Sequence, residues 1–205
     1  MGAKNSQQKQ LKFYSLKAKS DETNKPFFGL SEKIDNTWKQ TQQFDTISGT
    51  LSGAEIASKE YKGTSQNIFR IRLTDGEETS QIEMTHNTVA YSIINTLSTL
   101  QDTISDIMIR VYKTERDGKF YGNAYIEANG KKLSWGMKPT DAPRKEPVTL
   151  KGGKPMLKDG KQVYDDSAVR TFYENLFSNT IASLFSKKDD TDKDEEPPIA
   201  TDLPF

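Results

Sequence analysis

The chain has no cysteine among its 205 residues and a single histidine, His86. The first absence excludes disulfides and thiolate-bound zinc. The second excludes a two-histidine metal site within one chain and leaves His86 alone to serve any Ser-His-Asp triad. His86 stands just ahead of a predicted helix start, which reads as a surface or capping position. Net charge is missing too: 29 basic side chains balance 29 acidic ones. No apolar run approaches the roughly 20 residues that a bilayer-crossing helix needs, and residues 1–10 lack the apolar stretch of a secretory signal. A cytoplasmic protein is expected. Gly152-Gly153-Lys154 lacks the spacing of a phosphate-cradling Walker loop. The carboxylates of Asp75, Glu77 and Glu78, and those of Asp165 and Asp166, read as turn and cap chemistry rather than as a nuclease metal site. Neither an enzyme nor a bound cofactor or metal is expected.

The zero net charge hides a division. The last seventeen residues hold seven acidic side chains (Asp189, Asp190, Asp192, Asp194, Glu195, Glu196, Asp202) against Lys193 alone, a net of −6, so the preceding 188 residues carry +6. A basic body tethered to an acidic tail points to a body that binds a polyanion and a tail that binds something else. The tail, residues 189–205, is predicted to be disordered, because its acids and Pro197-Pro198 forbid a packed core. Yet it ends on an apolar tip, Leu203-Pro204-Phe205, which a mere solubilising appendage does not need.

Hydrophobic periodicity gives a mostly β chain. Residues 11–17 and 26–30 read as two strands of an N-terminal hairpin within an extension covering residues 1–43, with residues 31–43 polar around Trp38. From Phe44 the pattern alternates. Ile47, Gly49 and Leu51, then Phe69, Ile71 and Leu73, then Ile82 and Met84 each mark the apolar face of a strand. The period then changes. Asn87 or Thr88 is placed to cap a helix over 88–100 with Val89, Ile93, Leu97 and Leu100 on its apolar stripe. Strands return at Ile107, Ile109 and Val111 and at 120–128, joined by Asp117-Gly118, and Asn129-Gly130 signals a further hairpin toward Leu133, Trp135 and Met137. Three strands, a helix and two strands over 44–137 is the connectivity of an OB fold, a five-stranded Greek-key barrel, although another small barrel has the same string of elements. Residues 138–188 form a proline-rich basic connector and an amphipathic helix over 166–186. The stripe of that helix (Val169, Phe172, Tyr173, Leu176, Phe177, Ile181, Leu184, Phe185) either docks on the chain's own barrel or meets a second copy to form a homo-oligomer.

Alternation also sorts the polar faces. If the apolar residues above point inward, Arg70 and Arg72, Arg110 and Tyr112, and Tyr121 and Tyr125 point outward. The hairpin tip adds Lys113, Arg116 and Lys119 as a basic finger. Rings that offer faces to bases, beside cations that track phosphates, are what single-stranded nucleic acid requires. Cross-strand aromatic pairs also stabilise sheets without binding anything. Trp135, sharing a face with Leu133 and Met137, reads as core, and Trp38 as an exposed platform or a small satellite cluster.

The tip Asp202-Leu203-Pro204-Phe205 behind an acidic run resembles the C-terminus of the single-stranded DNA-binding proteins, whose bacterial members end in Asp-Ile-Pro-Phe or similar. Asp202, Pro204 and Phe205 match, and Leu203 stands in place of the isoleucine. The N-terminal extension and long C-terminal helix depart from the bacterial form and look more like a phage-encoded member, acting in the bacterial host cytoplasm. The resemblance implies an OB-fold protein that binds single-stranded DNA with little sequence preference. It also implies that the tail recruits replication, recombination and repair proteins through Asp202, Leu203, Pro204 and Phe205. A strand-annealing or recombination-mediator protein shares these features, and an adaptor without DNA binding shares some of them.

Overall fold

The computed structural model describes residues 10–19, 23, 25–61, 63–102, 105–138 and 140–186. The tail, with Asp202, Leu203, Pro204 and Phe205, lies outside the described residues, as do Leu184's neighbours from 187 onward. The chain is mostly β. Its strands are β1 (Gln10–Lys17), β2 (Phe27–Ile34), β3 (Thr37–Phe44), β4 (Thr46–Tyr61), β5 (Thr64–Asp75), β6 (Glu78–Met84), β7 (Asp106–Arg116), β8 (Lys119–Ala128) and β9 (Lys131–Lys132). They form one nine-stranded sheet in the order β3-β2-β1-β6-β5-β4-β7-β8-β9. Every neighbouring pair is antiparallel except β1 and β6, which run parallel.

The expected five strands and the helix between the third and fourth occur in the expected order, as β4, β5, β6, α1 (Thr88–Leu97), β7 and β8. Closure differs from a five-stranded barrel. The third core strand, β6, gives its free edge to β1, with Leu16 beside Met84. Among the described residues no pairing joins β6 to β8, and the sheet is open. The segment expected as an extension is thus part of the sheet, and it sends Leu16 and Phe28 into the same core as Ile71. Residues 31–43, read as a polar stretch, are the end of β2 and all of β3. Asp35 and Asn36 make the turn between them with φ of 50° and 61°, a two-residue geometry that short polar side chains tolerate. β3 hides from periodicity because nearly all of it is exposed, so neither of its faces had to be apolar.

β4 carries the curvature. Thr46–Thr50 pair with β7, and the strand pairs with β5 from Thr50 onward, with a register shift between Leu51 and Gly53. That bulge leaves Ser52 unpaired and increases local twist. The sheet curls around α1, whose Val89, Ala90, Ile93, Ile94 and Leu97 are fully buried. Asn87 caps the helix as expected, accepting from the N–H of Val89 and Ala90 at 3.0 Å each. The curl brings β8 toward the β1–β2 connection. A Cβ on Gly122 would lie 2.5 Å from Val89 Cγ2, 3.4 Å from the Ala18 carbonyl oxygen and 3.5 Å from Pro26 Cγ. The seam is therefore filled by close contact rather than by a hydrogen-bonded ladder.

Past the nine-stranded sheet, β10 (Glu146–Pro147) pairs with β13 (Tyr164–Asp165), and β11 (Leu157–Lys158) with β12 (Lys161–Gln162). The amphipathic segment follows as α2 (Ser167–Leu176), a π-helical turn (Phe177–Ala182) and α3 (Ser183–Ser186). Its stripe docks on the chain's own core: Val169, Tyr173, Phe177 and Ile181 are buried. Those four are spaced by four residues. At 3.6 residues per turn such a row drifts around an α-helix, and the wider π turn returns it to the core side. Tyr173 stacks on Tyr91 at 4.0 Å, and Phe177 lies 5.3 Å from Phe69. Asp166 holds the N-cap position without a side-chain cap bond. Its carboxylate instead accepts from Arg170 at 2.8 and 3.2 Å, and Asp165 accepts from the Ser167 N–H.

His86 is a correction to its reading as a surface residue. Its side chain is 4% exposed, with Nε2 3.1 Å from Glu174 Oε1 and Nδ1 3.1 Å from the Tyr91 hydroxyl. Burial lowers its pKa below the ordinary histidine value, although Glu174 pulls the other way. The neutral ring donates from Nε2 and accepts at Nδ1, and burial pushes Tyr91 up to about 12, so its phenol remains a donor. The ring ties the end of β6 to α2.

Gly122→Ala is expected to destabilise the fold by about 1–3 kcal/mol through overpacking at the seam. A lowered urea midpoint with an unchanged slope is the signature; an unchanged midpoint would show that the seam yields freely.

Candidate nucleic-acid interface

Alternation sets the face. Val111 is paired with Ala124 and Ile109 with Ile126, and all four are buried. The alternate residues of β7 and β8 therefore point away from the core: Arg110, Tyr112, Thr114 and Arg116 from one strand, Tyr125, Asn123, Tyr121 and Lys119 from the other. On β5, Phe69, Ile71 and Leu73 are buried and Arg70 and Arg72 turn outward. Through β4, where Thr46 pairs with Arg110 and Glu55 with Arg70, these residues share one face of the sheet.

Electrostatics divides them. Arg70 donates to Glu55 at 2.8 Å and to Glu83 at 3.0 Å, and Arg72 donates to the same Glu55 oxygen at 2.8 Å and to Gln81 at 3.1 Å. Lys59 completes the lattice on Glu83 at 2.6 Å. Burial raises the Glu83 pKa, but the bonds from Lys59 and Arg70 outweigh it and hold the carboxyl below the usual glutamate range. Arg70 and Arg72 are thus committed to the chain's own carboxylates. Arg110 is not: among the described residues it has no hydrogen-bond or ion-pair partner.

Arg110 lies in a shallow cavity of about 510 Å³ lined by Met108, Arg110, Tyr112, Tyr125 and Glu127. Tyr112 is 40% exposed. Tyr125 donates its hydroxyl to Glu127 at 2.7 Å, which fixes the ring on the sheet and raises its pKa, and Lys132 Nζ lies 5.4 Å from the ring centroid. Tyr121 is 48% exposed farther along the same face, toward the tip where Arg116 and Lys119 pair across the strands. Among the described residues Arg116 reaches only its neighbour Asp117, at 3.8 Å and almost fully solvated, a contact too exposed to hold it.

Lys113 is set apart. It pairs with Gly122 on the opposite face of the hairpin, sits 4.1 Å from the Phe120 ring centroid and donates to the Thr23 carbonyl at 3.3 Å. The basic finger is therefore divided by strand parity, with Arg116 and Lys119 on the tyrosine face and Lys113 behind it.

Compared with protein-family models, with curated proteins and with solved structures, the chain shows no match. No group of three or more His, Cys, Asp or Glu placed to hold a metal exists among the described residues, and none of their helices is long and apolar enough to cross a membrane.

Trp135 and Lys132 were missed by the sequence. Trp135 was read as core because it alternates with Leu133 and Met137, but it is 48% exposed. β9 stops at Lys132, and the chain beyond it leaves strand geometry because α1 captures it. Buried Asn95 donates to the Met137 carbonyl and accepts from the Met137 N–H, both at 3.0 Å. Gly136 lies so close that a Cβ there would be 2.6 Å from Ser98 Oγ. This clasp leaves Trp135 lining a second hollow of about 360 Å³ with Tyr112, Tyr125 and Lys132. Asn95 on an otherwise apolar stripe was the available signal, since a buried amide must find partners.

Because the folded pKa of Glu83 is depressed, its contribution to stability is present above the ordinary value of 4.5 and is lost as pH falls through the lowered one. Glu83→Gln should therefore lower stability at neutral pH and flatten its fall below about pH 4.5, measured by denaturant unfolding across pH. A parallel pH profile in both proteins would remove this role for the lattice.

Proposed function

We propose that the outer face of this sheet binds single-stranded DNA with little sequence preference, protecting it during replication, recombination and repair. The acidic C-terminal tail recruits partner proteins. The observation that carries the reading is Arg110: an unpaired guanidinium in a concavity between Tyr112 and Tyr125. A cation without an internal partner is free to meet phosphate, and flanking rings offer faces to any base, which makes recognition tolerant of sequence. Trp135, Tyr121, Lys132, Arg116 and Lys119 extend the same chemistry along β8 and the hairpin. Arg70 and Arg72 act in this reading as the charged scaffold of the face rather than as its leading contacts.

The fold itself is best understood as an OB-type barrel altered at its seam. The order of β4, β5, β6, α1, β7 and β8 is that of the OB core. β1 occupies the β6 edge where the last core strand would close the ring. The tail supports the second half of the reading through its composition: a net charge of −6 and the tip Asp202-Leu203-Pro204-Phe205. In this reading Phe205 fills an apolar pocket on a partner while the acidic residues before it meet basic groups there.

The direct test is fluorescence anisotropy of labelled oligo-dT over a salt series, with single-stranded and duplex competitors. Tyr112→Ala and Tyr125→Ala should each weaken binding by about 1–3 kcal/mol, roughly 5- to 150-fold in Kd. Arg110→Gln should reduce the slope of log K against log salt by about 0.7, the loss of one phosphate contact. No binding by the wild type, or equal competition by duplex, would overturn the proposal. Removal of residues 189–205 should tighten DNA binding at low salt, have no effect at high salt and abolish partner capture. An unchanged affinity at every salt concentration would end the idea that the tail competes for the face.

A further inference from the structure

A second aromatic and basic concavity lies on the same face, at the other side of the sheet. Phe13 on β1 and Trp38 on β3 meet edge to face, with ring centroids 5.2 Å apart. Trp38 is 56% exposed. With Ser15, Lys17, Ser31, Lys59 and Glu83 they line a hollow of about 530 Å³. Lys33 pairs directly with Trp38 across β2 and β3, so it points to the same side. The acid of this hollow, Glu83, is already engaged by Lys59 and Arg70. Lys17 and Lys33 have no partner among the described residues. The contact with Phe13 leaves more than half of the indole exposed, since the core lies on the opposite face and buries Leu16 and Phe28 instead.

Register ties this hollow to the Arg110 site. Phe13 stands beside Gln81 on β6, Gln81 beside Arg72 on β5, and Arg72 beside Gly53 on β4. The Arg72 guanidinium bonds Gln81 along that row. The N-terminal half of β4 then pairs with β7 at Arg110. From β1 to β7 is four strand spacings, about 19 Å along the sheet at roughly 4.8 Å each. That is farther than one base reaches, so the two sets of rings cannot serve the same nucleotide.

We propose that Phe13 and Trp38, with Lys17 and Lys33, form a second stacking subsite for another stretch of the same single strand. The inference rests on the proposed DNA-binding role of this face. The hairpin β2–β3 in this arrangement is a binding element, and the strand crosses the sheet from β8 to β3.

The test compares an oligo-dT of roughly 6 nucleotides with one of roughly 20, bracketing the ~4–16-nucleotide sites of such folds. Trp38→Ala should weaken the long oligonucleotide roughly 5- to 150-fold and leave the short one, held at Tyr112 and Tyr125, unchanged. Tyr112→Ala should weaken both. Trp38 is the sole indole in Trp135→Phe, and its fluorescence should be quenched by the long oligonucleotide. Circular dichroism and the melting temperature check that the variants fold. Wild-type affinity of Trp38→Ala for both lengths, with no quenching of Trp38, would overturn the second subsite while leaving the Arg110 site intact. Equal weakening for both lengths would overturn it too, by merging the two sites. Absence of any binding by the wild type would overturn both proposals.

Discussion

The shared pairing of β4 is the constraint on which the rest of the structure depends. One strand holds β7 with its first residues and β5 with the remainder, so both halves of a nine-stranded sheet turn about it. A flat sheet of this width would leave one apolar face too broad for a single ten-residue helix to cover. The bulge at Ser52 bends the strand, the sheet curls, and α1 with the C-terminal helical segment fills the inside. Where the curl nearly closes, the missing side chain of Gly122 leaves room for Val89.

The outer face follows from the same geometry by strand parity, and its chemistry is set by which cations find partners at home. At the centre, Glu55 and Glu83 bind Arg70, Arg72 and Lys59 in a lattice. At the flanks, Arg110 on one side and Lys17 and Lys33 on the other have no ion-pair partner among the described residues, although Glu127 and Glu83 stand in the same hollows, and rings stand beside them. The centre carries its charges in ion pairs, and the flanks carry unpaired cations beside exposed rings. A charge count over the sequence gives all these cations equal weight, and only the cross-strand register separates them.

Much of the architecture was legible because burial imposes periods. The strands from β4 to β8, the helix capped by Asn87 and the stripe of the last helix all bury one face, and each was found, although β4 runs on to Tyr61 and β5 begins at Thr64, beyond the alternation that marked them. β3 was missed because it buries almost nothing, leaving only Asp35-Asn36 as a turn signal. The parallel docking of β1 on β6 was invisible because pairing partners far apart in sequence leave no local trace. His86 and Trp135 exchanged their expected places for one reason. Each is positioned by a polar partner on another element, Glu174 in one case and Asn95 in the other, and such partners do not show in a hydrophobic pattern. Parity places Arg70, Arg72, Arg110, Tyr112, Tyr121 and Tyr125 on one face; Lys113 was grouped with the hairpin tip without being sorted by parity, which puts it on the opposite face.

The parallel β1–β6 pairing has a consequence in time. Lys12 bonds Glu78 across 66 positions of sequence, whereas β1, β2 and β3 need only each other to form a meander. At synthesis rates of about 5–20 residues per second, β1 waits roughly 3–13 s for the strand it must dock on. Throughout that interval Leu16 and Phe28 have no core to enter. The β1–β3 meander is thus made before the strand that secures it, and the polar sequence of β3 on its outer edge, with Lys39 in it, disfavours pairing of the waiting layer with a neighbouring chain.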